Sequence, residues 1–593
     1  MKNTLLFFGI LSISVLMTIW ACESGGGTGL TGTDGGTDTG DDPWELTAIS
    51  VTPANAELTV DNGIAAELDY TATGTFGDGH TEDLTDDVEF GISVAKLGTF
   101  DDATLTTSTV YGGIATVTAE AYGVTGETGV TIDIHTVHVD DSAPENAADL
   151  FEGEDDPAKA PTVLYPPDGV LIPPNLADVD FMWDAGTGND LWRIRFSGEY
   201  LEMEVYLADT SYIPEDLQWE QLIPGNGGND AVQVTVSGTS TADPSTMGTS
   251  DAAAYSVAEE PVEGGIYYWA ASSTVDGDYG IFRYDFGETG QLAEEAYTTV
   301  QTEGRCVACH ALSHDGTKMA LNYDGGNGQA DIIDVASQTT IVPLENYYWA
   351  NFHTYSADDA YVLSVYTGVF TLRDGATGEV VETLPLTNVT YPDWSLDGSQ
   401  LAFARVTRDF FGDWTFYGGQ IEIMSYDGPG LWGVPEVLVP AAPDVNYYYP
   451  AISPDHDWVV FNKSSELGGY EGAGDSYSDD DAHLWVVSAD GGDGIALDAV
   501  NLEGNLRTSW AKWCPHVFVY QDEPLMWLTV SSMRAYGSKL VDGQLPQIWM
   551  AAFSPARAEN GEDPTWPAFY LPFQDITTNN HIAQWTEIVV DIQ

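Results

Sequence analysis

Basic residues are scarce in this chain: its 593 residues include 17 Lys and Arg against 93 Asp and Glu, a formal net charge of −76. Nucleic acid is thereby excluded as a partner, because neutralising phosphates takes basic side chains. Anionic lipid surfaces are disfavoured for the same reason. Cysteine is rare too, with four in all. Setting Cys22 aside, Cys306, Cys309 and Cys514 are odd in number, which argues against a simple disulfide framework. Beyond the N-terminal segment no apolar run approaches the length of a membrane span. Hydrolase signatures are missing as well: the chain has no G-x-S-x-G elbow, no H-E-x-x-H helix and no phosphate-cradling P-loop. Hydrolase chemistry therefore finds little support, and no catalytic residues are singled out.

Against that background Cys306-Val307-Ala308-Cys309-His310 stands out. It is the C-x-x-C-H signature of c-type haem attachment, in which two thiols add to the two vinyl groups of one porphyrin and the following histidine supplies the proximal iron ligand. The N-terminus suits it. Met1-Lys2-Asn3 is a short positive start, Leu5 to Trp20 is an apolar stretch of signal-peptide length, and Ile19-Trp20-Ala21-Cys22 resembles a bacterial lipobox. The resemblance implies cleavage after residue 21, lipidation of Cys22 and membrane anchoring without a spanning helix. Glu23, rather than aspartate, after the lipid cysteine favours an outer-membrane destination, facing the periplasm or the cell surface. Residues 22–45 read as a flexible acidic Gly/Thr/Asp tether.

The fold expected for the remainder is all-β, with Ig-like β-sandwiches followed by a β-propeller. Residues 46–134 alternate short apolar strands with turns such as Gly77-Asp78-Gly79, the pattern of a sandwich. The stretch from Val51-Thr52-Pro53 through Gly77–Thr85 to Gly123-Val124-Thr125-Gly126 resembles a group 2 bacterial Ig-like domain, with Phe90 where that family usually has tryptophan. That resemblance implies a spacer or adhesion module. Residues 135–159 read as a linker and 160–298 as a second, fibronectin- or Ig-like sandwich.

From residue 299 to 593 the chain repeats. Ser313-His314-Asp315-Gly316, Ser356-Ala357-Asp358-Asp359, Ser395-Leu396-Asp397-Gly398 and Ser453-Pro454-Asp455-His456 each precede an apolar strand, with a degenerate copy at Trp513-Cys514-Pro515-His516. Intervals of about 40 to 60 residues fit four-stranded propeller blades, and about six blades are expected at about 45 residues each. Tyr391-Pro392-Asp393-Trp394-Ser395-Leu396-Asp397-Gly398 and Tyr449–Asp455 resemble the blade motif of TolB-type (PD40/WD40-like) propellers. Glu587–Ile592 is expected to close the ring and remove a sheet edge. Together these features resemble Gram-negative propeller lipoproteins that carry a c-type haem motif.

Aligning the blades on their serines puts His310, His353, Pro392 and Pro450 at equivalent positions on the innermost strands. His353 is therefore the first choice for the distal iron ligand, with His581 and Met319 as alternatives. Met319 also reads as core, and His581 as a hydrogen-bonded turn residue. Two rival readings stay open: a zinc site of Cys306, Cys309, His310 and Cys514, and a disulfide among the cysteines. Acidic loops at Asp475–Asp481 and Val275–Asp278 offer weak Ca2+ candidates without EF-hand ligand order. The expected function is a membrane-anchored mono-haem c protein in electron transfer or haem-based redox sensing; its acidic surface reads first as a solvated, halotolerant one, with attraction of a cationic redox partner as the other use. The alternative is a non-enzymatic scaffold binding an envelope protein or polysaccharide through aromatics such as Tyr347, Tyr348, Trp349, Tyr447, Tyr448 and Tyr449.

Overall fold

The computed structural model describes residues 44–272, 279–287, 292–302, 304–325, 328–342, 348–466, 479–504 and 506–592. Cys22, the signal segment and most of the tether, Tyr347 and the Val275–Asp278 loop lie outside the described residues. No helix among the described residues is long and apolar enough to cross a membrane.

Strand alternation builds the N-terminal half. Gly113–Ala121 buries every second side chain (Ala115, Val117, Ala119), as does the facing stretch of Val124–Val139 with Val130, Ile132 and Ile134. These strands pair antiparallel, and Ala56–Asp61 joins Val124–Val139 in parallel. Val124–Val139 then runs on past residue 134 and pairs in parallel with Leu201–Leu207, so one sheet crosses from the first section into the second. The stretch 135–159, expected as a linker, is structured. It begins as sheet, and Phe151 of the turn Ala147–Phe151 packs on Tyr206 at 5.5 Å.

Six antiparallel sheets follow, each a blade of four sequential strands or their equivalent. Blade 1 consists of Gly265–Ser272, Tyr279–Asp285 and Glu294–Thr298, with Thr578–Thr586 added on its inner side. Blade 2 is Val307–Leu312, Lys318–Tyr323, Gln329–Asp334 and Thr339–Thr340, with Tyr348–Trp349 against its third strand. Blade 3 opens with Phe352–Tyr355, blade 4 with Val389–Trp394, blade 5 with Val445–Ile452 and blade 6 with Ser509–Tyr520. These five strands, Val307–Leu312 through Ser509–Tyr520, and Thr578–Thr586 follow one another around a ring that closes on itself.

Two boundaries therefore differ from the sequence reading. Residues 265–298, expected in the second sandwich, pair with the C-terminal strand as blade 1. Closure is made by Thr578–Thr586 and not by Glu587–Ile592, which carry no strand; Glu587 N donates to His314 O at 3.2 Å and Ile592 packs on the core between blades 1 and 2. The physical reason is long-range pairing: joining the first and last blade strands satisfies two edges at once, and no local pattern announces it.

The Ser-x-Asp repeats make the turns that enter each blade's second strand. Ser356 Oγ donates to Asp358 at 2.7 Å and accepts Tyr361 N at 3.0 Å, and Ser313 and Ser395 repeat both bonds. The fourth position of each turn is left-handed: Gly316, Asp359, Gly398 and His456 have φ of 69°, 55°, 74° and 69°. At Gly316 a Cβ would also lie 2.1 Å from Ile588 O, so only glycine fits.

The second sandwich docks on blade 6. Tyr570 N donates to Tyr165 Oη at 2.9 Å, Tyr165 meets Tyr536 edge-on at 5.0 Å, and Lys539 pairs with buried Asp180 at 2.5 Å. One continuous core joins sandwich and propeller.

Candidate functional site

Each innermost strand reaches the propeller axis at one position, occupied by Cys309, Phe352, Tyr391, Tyr449, Trp510 and Ile582 in turn. At four of the six the backbone is left-handed, with φ of 51°, 49°, 54° and 59° at Tyr391, Tyr449, Trp510 and Ile582. The ladder slips at these points, and at Cys309 between Val307 and His310. A bulge re-aims a side chain, and here it turns each one toward the axis. The rings then pack together: Tyr391 lies 4.0 Å from Tyr449, Tyr449 stacks on Trp510 at 3.8 Å, and Phe352 lies 4.5 Å from Tyr391. The result is an apolar plug across the channel.

On one side of the plug the channel opens into an apolar cup of about 320 Å³. Cys309, His581, Trp269, Phe352, Trp414 and Trp510 line it. Cys306 and Cys309 are half-buried and in no disulfide. Burial, with the Asp324 carboxylate as a smaller influence, pushes the Cys306 thiol up, so it stays protonated at neutral pH. Trp269, on blade 1, ties the motif down: its Nε1–H donates to Val307 O at 2.7 Å. The same indole meets the His581 ring edge-on at 4.7 Å.

His310 is buried beneath the motif, where its Nε2–H donates to Tyr267 O at 3.1 Å. Burial lowers its imidazole to about 4. His581 is lowered to about 3 by burial and then by nearby His310. Both rings are therefore neutral at physiological pH, the state in which imidazole binds a metal.

On the other side, toward the Ser-x-Asp turns, the channel is narrower and polar. His310, His353, Pro392 and Pro450 do come together, around a cavity of about 30 Å³ against the plug. Beyond them Lys512 Nζ pairs with Asp393 Oδ1 across the channel, and Asp393 Oδ2 accepts Ile452 N at 2.8 Å. His353 does not line the cup. Its Nε2 is 3.2 Å from Tyr348 Oη, with the Arg373 guanidinium 4.0 Å over that tyrosine's ring, and burial, then Arg373, lowers it to about 3. Met319 is buried in the core between blades 1 and 2.

Cys514 is not brought to the cup. It occupies the serine position of the blade 6 turn, buried in the core shared with the sandwich, 3.8 Å from Glu263 O. Among the described residues no three His, Cys, Asp or Glu side chains converge as on a metal ion. The described part of the acidic run Asp475–Asp481 is used internally: Asp479 accepts Tyr448 Oη and Ser464 Oγ, Asp480 pairs with Arg507, and Asp481 accepts Ser465 N. Of the aromatics singled out as a recognition surface, Tyr449 belongs to the plug, Tyr348 and Tyr448 are buried, and Trp349 is exposed.

A haem suits part of this arrangement directly. The Cys309 thiol, the aromatic walls and the neutral His581 imidazole of the cup are surroundings that suit a flat apolar macrocycle. Two features stand against it: His310 lines the narrow cavity on the far side of the plug and not the cup, and iron ligation through its Nε2 would replace its bond to Tyr267 O. The sequence reading missed Trp269 and Trp414 of the cup. Phe352 and Trp510 could have been found by extending the serine alignment one residue toward the N-terminus, where Cys309, Tyr391 and Tyr449 also fall.

No family model matches this chain, and no curated protein matches it in sequence. Among solved structures it is similar to an oligogalacturonate lyase in complex with manganese, at 16% identity and a TM-score of 0.27 over 52% of this chain and 75% of that one. It is also similar to a β-propeller domain from Myceliophteria thermophila, at 12% identity and a TM-score of 0.27 over 51% of this chain and 90% of that one. The propeller itself is established by this chain's strand order: six sheets around a ring, closed by its last strand on its first blade.

Proposed function

We propose that Cys306 and Cys309 carry a covalently attached haem over the apolar mouth of the propeller, with His310 on its iron, and that the protein is an extracytoplasmic electron carrier. The observation that carries this reading is that Cys309 of the C-x-x-C-H motif and the buried, neutral His581 line one aromatic cup. The bound group would supply one-electron redox chemistry. The chain's own part is to hold and shield it. Trp269 fixes the motif backbone at Val307 O. Phe352, Tyr449 and Trp510 keep water from the channel side, and a low-dielectric wall of this kind tunes a haem's potential. The acidic surface favours a cationic redox partner, and lipidation of Cys22 would hold the protein at the outer membrane.

The test is maturation in a periplasm equipped for c-type haem attachment, followed by a pyridine haemochrome spectrum of the denatured chain. A c-type band that stays with the polypeptide and vanishes in Cys306→Ala/Cys309→Ala is expected. Its absence, where a known c-type protein matures, would overturn the redox reading and leave the cup as a binding site for an apolar or aromatic ligand on a propeller scaffold.

A further inference from the structure

Resting on that reading, we infer that the second protein ligand to the iron is His581, the cup histidine contributed by the ring-closing strand, and not His353. His581 and Cys309 line the same cavity, from adjoining innermost strands, Thr578–Thr586 of blade 1 and Val307–Leu312 of blade 2. In blade register His581 is level with Ala308, inside the motif itself, since Thr586 occupies the place of Ser313. Ala308 lines the cup as well.

Trp269 couples the two strands. Its indole donates to Val307 O at 2.7 Å and packs edge-on against the His581 ring at 4.7 Å, so one side chain sets both the thiol-bearing backbone and the imidazole. His353 lines only the narrow cavities on the Ser-x-Asp side, one of them shared with His310, whereas His581 lines the cup beside Cys309. Its Nε2 is engaged by the Tyr348 hydroxyl, and Arg373 lies over that ring. To reach the cup it would have to displace Phe352, its own neighbour in the plug. The proposal also gives ring closure a role in the site, because the ligand arrives only when the last strand pairs with Gly265–Ser272.

The experiment compares His581→Ala, His581→Met and His353→Ala in the full chain matured with haem. Haem content is read by pyridine haemochrome, folding by circular dichroism, and spin state by visible and electron paramagnetic resonance spectra of the oxidised protein. His581→Ala is expected to keep its covalent haem and turn from low-spin to high-spin, with added imidazole restoring the low-spin spectrum. His581→Met should give a sulfur-to-iron charge-transfer band, and His353→Ala should match the wild type. A haem-loaded His581→Ala that stays low-spin, a spin change in His353→Ala instead, or a wild type already high-spin would overturn the inference while leaving the haem reading intact. A wild type without covalent haem would overturn the reading beneath it.

Discussion

Buried histidines tie the propeller's stability to pH. His310, His353 and His581 have imidazoles held at about 4, about 3 and about 3, chiefly by burial, against 6.5 for an ordinary histidine. Between these values the unfolded chain binds protons that the folded one refuses. Stability is therefore complete above about pH 6.5 and is lost as pH falls toward about 4 and then 3. Asp331 works the other way. Burial raises its carboxyl to about 7, so its contribution is present below 3.8 and lost as pH rises through about 7. A difference measurement separates them. In the haem-free chain, His353→Gln should show a melting temperature that depends less on pH between about 6.5 and 4 than the wild type does. Parallel curves would contradict this account of His353. The burial of these rings was not legible in the sequence, where a histidine beside alternating apolar residues reads equally well as exposed or inward. The C-x-x-C-H motif was legible because its chemistry depends on spacing alone.

Elements of this chain divide by how local their causes are. The Ser-x-Asp turns could be read from four residues because serine hydroxyl, aspartate carboxylate and a left-handed fourth position satisfy one another within the turn. Asp358 shows the result: the Ser356 hydroxyl holds its carboxyl below the usual range. Closure by Thr578–Thr586 on Gly265–Ser272 has no such local signature, and the continuation of Val124–Val139 into a second sheet has none either. The left-handed position carries a prediction. His456 adopts φ of 69° where two sister turns have glycine, and its contact with Asp397 is a loose 3.7 Å. His456→Gly should stabilise by about 0.5 to 1 kcal/mol by relieving that backbone. Gly398→Ala should destabilise by a similar amount or more, since φ is 74° there and a Cβ would lie 3.1 Å from that of Ala357. Urea unfolding of the two variants checks the signs. A destabilised His456→Gly would show that the cross-turn contact outweighs the strain.

The whole molecule combines a rigid core with a surface of one sign. The sandwich is joined to blade 6 through Tyr165, Tyr536 and Tyr570 and through the Lys539–Asp180 pair, so it is a buttress of the propeller. A net charge of −76 repels itself, and salt screens that repulsion over a Debye length of about 10 Å at 0.1 M. Raising sodium chloride should therefore raise the melting temperature, most steeply at low ionic strength; a flat or falling curve would mean that ion pairs outweigh the repulsion. The two-part architecture was legible from strand spacing and repeat. The cup was only half so, because Trp269 and Trp414 reach it from outside the repeated register. The central claim is that this cup holds a covalent haem, and the intact mass of the matured chain tests it most directly. The account predicts a gain of one haem, lost in Cys306→Ala/Cys309→Ala; a mass equal to the polypeptide alone, under conditions where a known c-type protein is loaded, would contradict it.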